Sequence, residues 1–172
     1  ERLAGALESA LAKTDDYLFD LSRHDPDTRH MLALRDIRRA RSGMARGHDG
    51  ALESAFQLLI EDPTYAKREP VALSLLSNSD LEEQLALEQV VDAIQRAYQP
   101  ALHMIERRFA MLLRQPDFHA DRIPVGPKSL GVAARYCLAG VELEPDVKVV
   151  FYKFYEREMT RALGPLYDRI NA

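Results

Sequence analysis

Apolar residues recur along most of this chain at intervals of three and four, the spacing that lines one face of an α-helix. The pattern is densest near the C-terminal end. From Val149 to Tyr155 six of seven residues are apolar or aromatic, and only Lys153 interrupts. Val147, Val150, Phe151, Phe154, Tyr155, Met159, Ala162, Leu163, Leu166, Tyr167 and Ile170 keep the helical spacing. A helix apolar nearly all round belongs in the middle of a bundle or against a partner. The rival reading of residues 147–155 is a strand, because the stretch is rich in β-formers. The helical period runs on to Ile170, far past a usual strand length, and favours a helix from Pro145. Pro145 suits a first helical turn, and Asp146 beside it suits the positive end of the helix dipole. Gly164-Pro165 predicts a kink or a restart.

The same reading extends to the rest of the chain. Leu3, Leu7, Ala10, Leu11, Leu18 and Leu21 predict a first amphipathic helix, open to a restart at Thr14-Asp15-Asp16. His24-Asp25-Pro26-Asp27 reads as a turn, with Asp25 as cap and Pro26 in the first turn of the next helix. That second helix runs to about Met44 on Met31, Leu34, Ile37 and Ala40. Gly47-His48-Asp49-Gly50 predicts a break, and a third helix follows from Ala51 to Ile60. Glu61 to Pro70 reads as a loop. Ser79-Asp80-Leu81-Glu82 has the form of a capping box. It opens a fourth helix through Leu85, Val91, Ile94, Tyr98, Leu102, Ile105, Phe109 and Leu112, kinked at Pro100 and closed by Gln115-Pro116. Asp117 to Pro127 has no period. A fifth helix spans about Lys128 to Leu138, with Leu130, Ala133, Ala134 and Cys137 inward and Gly140 beyond its end. The fold class expected is therefore all-α, a bundle of about six helices with the C-terminal helix central.

Composition narrows the class without changing it. At 172 residues the chain suits one domain, spanning 1–172, that buries about 70% of its unfolded surface. A net charge of −4 advertises neither nucleic acid nor an anionic membrane. No apolar run approaches the roughly 20 residues that span a bilayer, so no membrane insertion is expected. Cys137 is the single cysteine, which suits a reducing, cytoplasmic compartment. A chain that opens on Glu1 is expected to be a piece of a longer polypeptide.

The strongest candidate for chemistry is basic. Residues 21–50 hold seven arginines against four aspartates, a local excess of three positive charges in an acidic chain. Arg35, Arg38, Arg39 and Arg46 are spaced to share one face of the second helix, and guanidinium forks suit phosphate or carboxylate. The alternative is an ordinary solvated face, and the absence of interleaved aromatics argues against nucleic acid. The aromatic group at the C-terminal end has two readings. It is either core, or in part (Tyr152, Tyr155, Tyr167) a surface for a partner or a neighbouring domain, since aromatics dominate interface energetics. His103 with Glu106 reverses the Glu-x-x-His order of di-metal bundles and has no matching pair, so no metal is expected. Glu82, Glu83 and Glu88 suit a helix N-terminus. Gly126-Pro127-Lys128-Ser129 lacks the first glycine and the preceding strand of a phosphate loop. Cys137 sits on an apolar face, as a small core residue does. No nucleophile–base pair emerges, so neither an enzyme nor a cofactor is expected.

Three blocks resemble a known bacterial family, the one catalogued as domain of unknown function 1631. They are Leu73-Ser74-Leu75-Leu76 with Leu81-Glu82-Glu83-Gln84-Leu85-Ala86, then Val125-Gly126-Pro127-Lys128-Ser129-Leu130, and Lys148 to Arg157 with Ala162-Leu163-Gly164-Pro165-Leu166-Tyr167. Asp36-Ile37-Arg38-Arg39 is a fainter likeness. The resemblance implies the helical N-terminal portion of a long cytoplasmic bacterial protein, with a weak association to cyclic-dinucleotide signalling and no catalytic residues to carry over. The function expected is a non-catalytic interaction or regulatory module that docks sister domains or another protein. The alternative is a sensing domain that holds a nucleotide, a cyclic dinucleotide or an acidic partner at the arginine face.

Overall fold

The computed structural model describes residues 1–24, 28–61 and 78–172, and in it the periodic stretches are helices. They are α1 (Arg2–His24), α2 (Arg29–Glu61), α3 (Asn78–Leu112), α4 (Pro127–Leu138) and α5 (Pro145–Asn171), with one 3-10 turn at Ala120–Arg122. Among the described residues there is no strand, which settles the rival reading of residues 147–155. The helices touch in a closed order, α1 to α2 to α4 to α3 to α5 and back to α1. Each therefore buries the apolar stripe that its spacing supplies against two neighbours. The proposed turn at Asp25-Pro26 and the loop after Glu61 lie outside the described residues, and α3 begins at Asn78, one residue before the expected cap at Ser79.

The count is five helices among the described residues, where the sequence suggested about six, because α2 does not break at Gly47–Gly50. A glycine costs a helix interior roughly 1 kcal/mol relative to alanine. Packing overrides that cost here. A Cβ added to Gly47 would lie 2.6 Å from the Tyr136 carbonyl oxygen, so the missing side chain lets α2 approach the α4 backbone. The next residue, His48, is fully buried against α5. These residues join two helices and end neither.

The last helix is one stave of the ring and not its axis. Its buried positions Val147, Phe151, Tyr155, Met159, Leu163 and Tyr167 recur every four residues. At 3.6 residues per turn such a row drifts slowly round the helix, so a short window looks apolar on all sides. Lys153, Arg157, Arg161 and Pro165 nevertheless form an exposed stripe. Phe154, expected inward, is only half-buried and meets Tyr17 edge-on at 6.2 Å. What fills the middle is a set of side chains: Phe151, Tyr152, Tyr155 and Tyr167 are the largest fully buried ones.

The expected kink in α3 is present just ahead of Pro100, whereas α5 runs through Gly164-Pro165 without a break. At the kink Tyr98 leaves the helical region, at φ −125° and ψ 18°, and a second helical segment carries the stripe on through Pro100. The hydroxyl of Tyr98 donates to the Thr160 carbonyl of α5, one turn before Pro165. A Cβ at Gly164 would come within 3.2 Å of the same hydroxyl, so the two irregular turns are fitted together.

The aperiodic stretch after α3 proves to be core. Phe118, Ile123 and Val125 are buried, and the Tyr167 hydroxyl donates to the Val125 carbonyl at 2.7 Å. Upstream of it, α3 closes in a paired-bond cap. Gln115 N–H donates to the Ala110 carbonyl at 2.9 Å and Arg114 N–H to the Met111 carbonyl at 3.3 Å. This geometry puts the residue after the helix in the left-handed region, where glycine is usual. Here it is Arg114, at φ 53°. The α4 helix matches its expected bounds, with Pro127 as its first residue and Leu130, Ala133, Ala134 and Cys137 inside.

Candidate functional site

The arginines of α2 do not converge on one site. Arg38 turns to α1, where its Nε and Nη2 donate to the two carboxylate oxygens of Asp15 at 2.6 and 2.7 Å. The guanidinium fork fits the carboxylate in two places at once, and this bond holds the Asp15 carboxyl below its ordinary pKa. One turn on, Arg41 donates to Glu8 Oε2 from Nε at 3.0 Å and from Nη2 at 2.7 Å. These two arginines stitch α2 to α1. Arg35 is paired with its neighbour Asp36 at 3.0 Å. Arg39 and Arg46 are exposed and make no ion pair among the described residues. Of the four residues expected to share an anion site, two are neutralised by aspartates and two remain open to solvent.

The three tyrosines expected at a partner surface are buried, and their hydroxyls are bonded internally. Tyr152 donates to Glu83 Oε1 of α3 at 2.8 Å, and Lys148 Nζ donates to Glu83 Oε2 at 2.6 Å. Tyr155 reaches across the bundle, with its hydroxyl 3.1 Å from the Leu130 carbonyl and 3.0 Å from His48 Nε2. Tyr167 holds the Val125 carbonyl. Burial raises the pKa of all three phenols. They fasten α5 to the bundle and offer nothing to a partner outside it.

The remaining candidates are also tied into the fold. Burial pushes the Cys137 thiol up to about 12, so almost none of it is thiolate at neutral pH. Glu106 accepts the Ala120 N–H at 3.0 Å and lies 3.5 Å from His103 Nδ1. The Gly126–Ser129 turn is filled by its own chain. The Ser129 hydroxyl donates to the Ile123 carbonyl at 2.9 Å, and a Cβ at Gly126 would lie 2.9 Å from the same oxygen. Glu158, buried in α5, accepts Lys13 at 2.5 Å and Ser9 at 3.1 Å, and the lysine bond lowers its pKa.

Among the apolar side chains that the fold leaves exposed, a group at one end of the bundle lines a groove. Where the end of α3 meets the end of α5, Ile105, Phe109, Met111, Leu112 and Ile170 line an open apolar groove with Arg108. Met111 is 79% exposed and Leu112 77%, and Met104 one helical face-repeat earlier is half exposed. The groove has a fixed wall, because Arg108 donates to the Ile170 carbonyl at 3.1 Å and to the Asn171 carbonyl at 2.6 Å. A guanidinium on the last carbonyls of a helix satisfies orphan acceptors and suits the negative end of the dipole. Asn171 Nδ2 adds a bond to the Ala101 carbonyl at 3.1 Å. Arg107 and Arg114, exposed beside Met111, make no ion pair among the described residues. Sequence reasoning missed this groove by assigning Leu112 to the inner face and passing over Met104 and Met111. The available signal was the number of apolar positions after Pro100, which is more than one core stripe needs.

None of the described helices is long and apolar enough to cross a membrane. The whole chain, residues 1–172, matches a single family model, described as the N-terminal domain of a protein of unknown function, DUF1631. No curated protein and no solved structure matches the chain.

Proposed function

This chain belongs to the DUF1631 family as its N-terminal domain, and from that premise we propose that it is a non-catalytic helical docking module of a bacterial cytoplasmic protein, with a regulatory role. One observation carries the reading: the open groove at the joined ends of α3 and α5, with Met111 and Leu112 more than three-quarters exposed. Apolar surface gains about 25 cal/mol per Å² when it leaves water, so a contiguous exposed group favours a partner. Methionine suits such a surface because its flexible thioether adapts to irregular partners. The polar side chains that sequence reasoning considered for chemistry are mostly engaged in holding helices together, which supports a binding role over a reaction.

The test is a photo-crosslinking amino acid placed at Met111 of the full-length protein in its native cells, with Arg39 as a solvent-facing control. A discrete crosslinked species from position 111, absent from position 39 and lost with Leu112→Asp, is expected. No product from position 111 overturns the reading. The alternative, an anionic ligand such as a nucleotide or cyclic dinucleotide on α2, now rests on Arg39 and Arg46, the two arginines of that face left without counter-charges.

A further inference from the structure

The groove at the α3–α5 end is apolar on its floor and positive along its edge. Met104, Arg107, Arg108 and Met111 fall at intervals of three and four, on one exposed face of α3, and Arg114 follows one turn later. Neither Arg107 nor Arg114 has an acid within ion-pair reach among the described residues. Arg108 spends its donors on backbone carbonyls, which carry only partial charge, so its formal charge also stands without a carboxylate. Glu106, the acid nearest in sequence to Arg107 and Arg108, bonds the Ala120 N–H and lies against His103, and Asp117, three positions past Arg114, makes no ion pair with it. Arg108 lines the groove, and Arg107 and Arg114 stand exposed in the same stretch of chain, in a protein whose net charge is −4. On α2 the corresponding cations Arg38 and Arg41 are matched by Asp15 and Glu8. The unmatched set lies beside the groove.

We propose that this groove receives an amphipathic helix of a separate protein, one whose apolar face is flanked by glutamates or aspartates. The proposal rests on the docking reading above and deepens it. A helix lying in a groove is read through apolar anchors at three-and-four spacing, while charges along the rim set orientation and partner choice. The four positions from Met104 to Met111 span about 10 Å of helix axis, the length of two turns. A second copy of this chain is a poor occupant. A two-fold contact apposes the same patch from both copies, which would set Arg107, Arg108 and Arg114 against themselves. An acidic flank removes that repulsion and uses the arginine forks, which take carboxylates in two-point contacts.

The probes are two fluorescein-labelled designed helices of about 14 residues, four turns each. They share one Leu/Met face and differ only in carrying Glu or Lys beside it. Anisotropy titrations with the whole domain should show the Glu-flanked helix binding at least about tenfold more tightly, a preference of roughly 1.4 kcal/mol. That preference should shrink as salt is raised, because exposed charges are screened within about 8 Å at physiological ionic strength. The double variant Arg107→Glu/Arg114→Glu should reverse the order of the two probes. Both arginines are exposed and unpaired, so the variant should keep its helical circular dichroism and melting temperature. Met111→Asp should abolish both probes. Equal binding of the two helices would overturn the acidic partner and leave groove docking intact. Binding of neither would overturn docking as well. A dimer in solution that Met111→Asp converts to monomer would make a second copy the occupant and overturn the proposal in that way.

Discussion

His48 is the residue on which the middle of the bundle turns. It is fully buried, with Nε2 3.0 Å from the Tyr155 hydroxyl and Nδ1 3.2 Å from Asp49. Burial is the largest influence on it and lowers its pKa below 6.5, with the Asp49 carboxylate acting in the opposite sense. A base whose folded pKa is depressed binds protons more readily when unfolded. Its contribution to stability is therefore complete above about pH 6.5 and is lost as the pH falls from there towards the folded value. Urea titrations between pH 7.5 and 5 should show stability declining on acidification, and His48→Gln should flatten that decline. An unchanged slope in the variant would assign the titration elsewhere. Asp15 and Glu158 have lowered pKa values, so they act at lower pH, where carboxylates protonate. None of this was legible in the sequence, where His48 sat in Gly47-His48-Asp49-Gly50 and read as part of a turn. Its partner on α5 lies 107 positions away.

At the scale of elements, legibility followed the source of each signal. Helical period comes from the buried face, so α1, α4 and α5 were readable from residues such as Leu7, Leu11, Leu130, Ala134, Phe151 and Leu163, all buried. Glycine carries no such signature, because one that ends a helix and one that admits a neighbour are the same letter. Gly47 and Gly50 separate the two cases within α2. Nothing lies within 4 Å of a Cβ at Gly50, whereas one at Gly47 would strike the Tyr136 backbone. Gly50→Ala should therefore stabilise the protein by roughly 0.5–1 kcal/mol, the usual gain in a helix interior. Gly47→Ala should instead cost about 1–3 kcal/mol, the range for forcing extra volume into a packed site. Equal effects in chemical denaturation would mean that α2 and α4 are not seated backbone to backbone. Phe118, Ile123 and Val125 escaped notice for a related reason, since irregular backbone buries side chains without any period to reveal them. The Arg38–Asp15 and Arg41–Glu8 pairs escaped too, because a row of arginines does not show which acids across the seam will meet it.

Across the whole molecule, the closed order of helices leaves little that can come apart alone. Each helix has two neighbours, and Tyr155 ties three of them through His48 of α2 and Leu130 of α4. Such a domain should unfold in one step, with coincident transitions from different probes. Far-ultraviolet circular dichroism and tyrosine fluorescence are two suitable probes, the second uncomplicated because the chain has no tryptophan. Separated midpoints would show that the ring opens in stages. The candidate site reads differently at this scale. Sequence reasoning looked for it in the arginine row of α2 and the aromatics of α5, which the fold consumes in holding itself together. The groove at the α3–α5 end became visible only when the core had been assigned and some apolar side chains were left over.

Arg114 brings that groove and the cap of α3 to a single position. A left-handed backbone costs an L-residue roughly 1–2 kcal/mol, and glycine escapes the charge. In a mutational library of this domain, heating survivors should enrich Arg114→Gly, while sorting for capture of the Glu-flanked helix should purge it. The two selections should pull this one position in opposite directions, and most exposed positions of the bundle in neither.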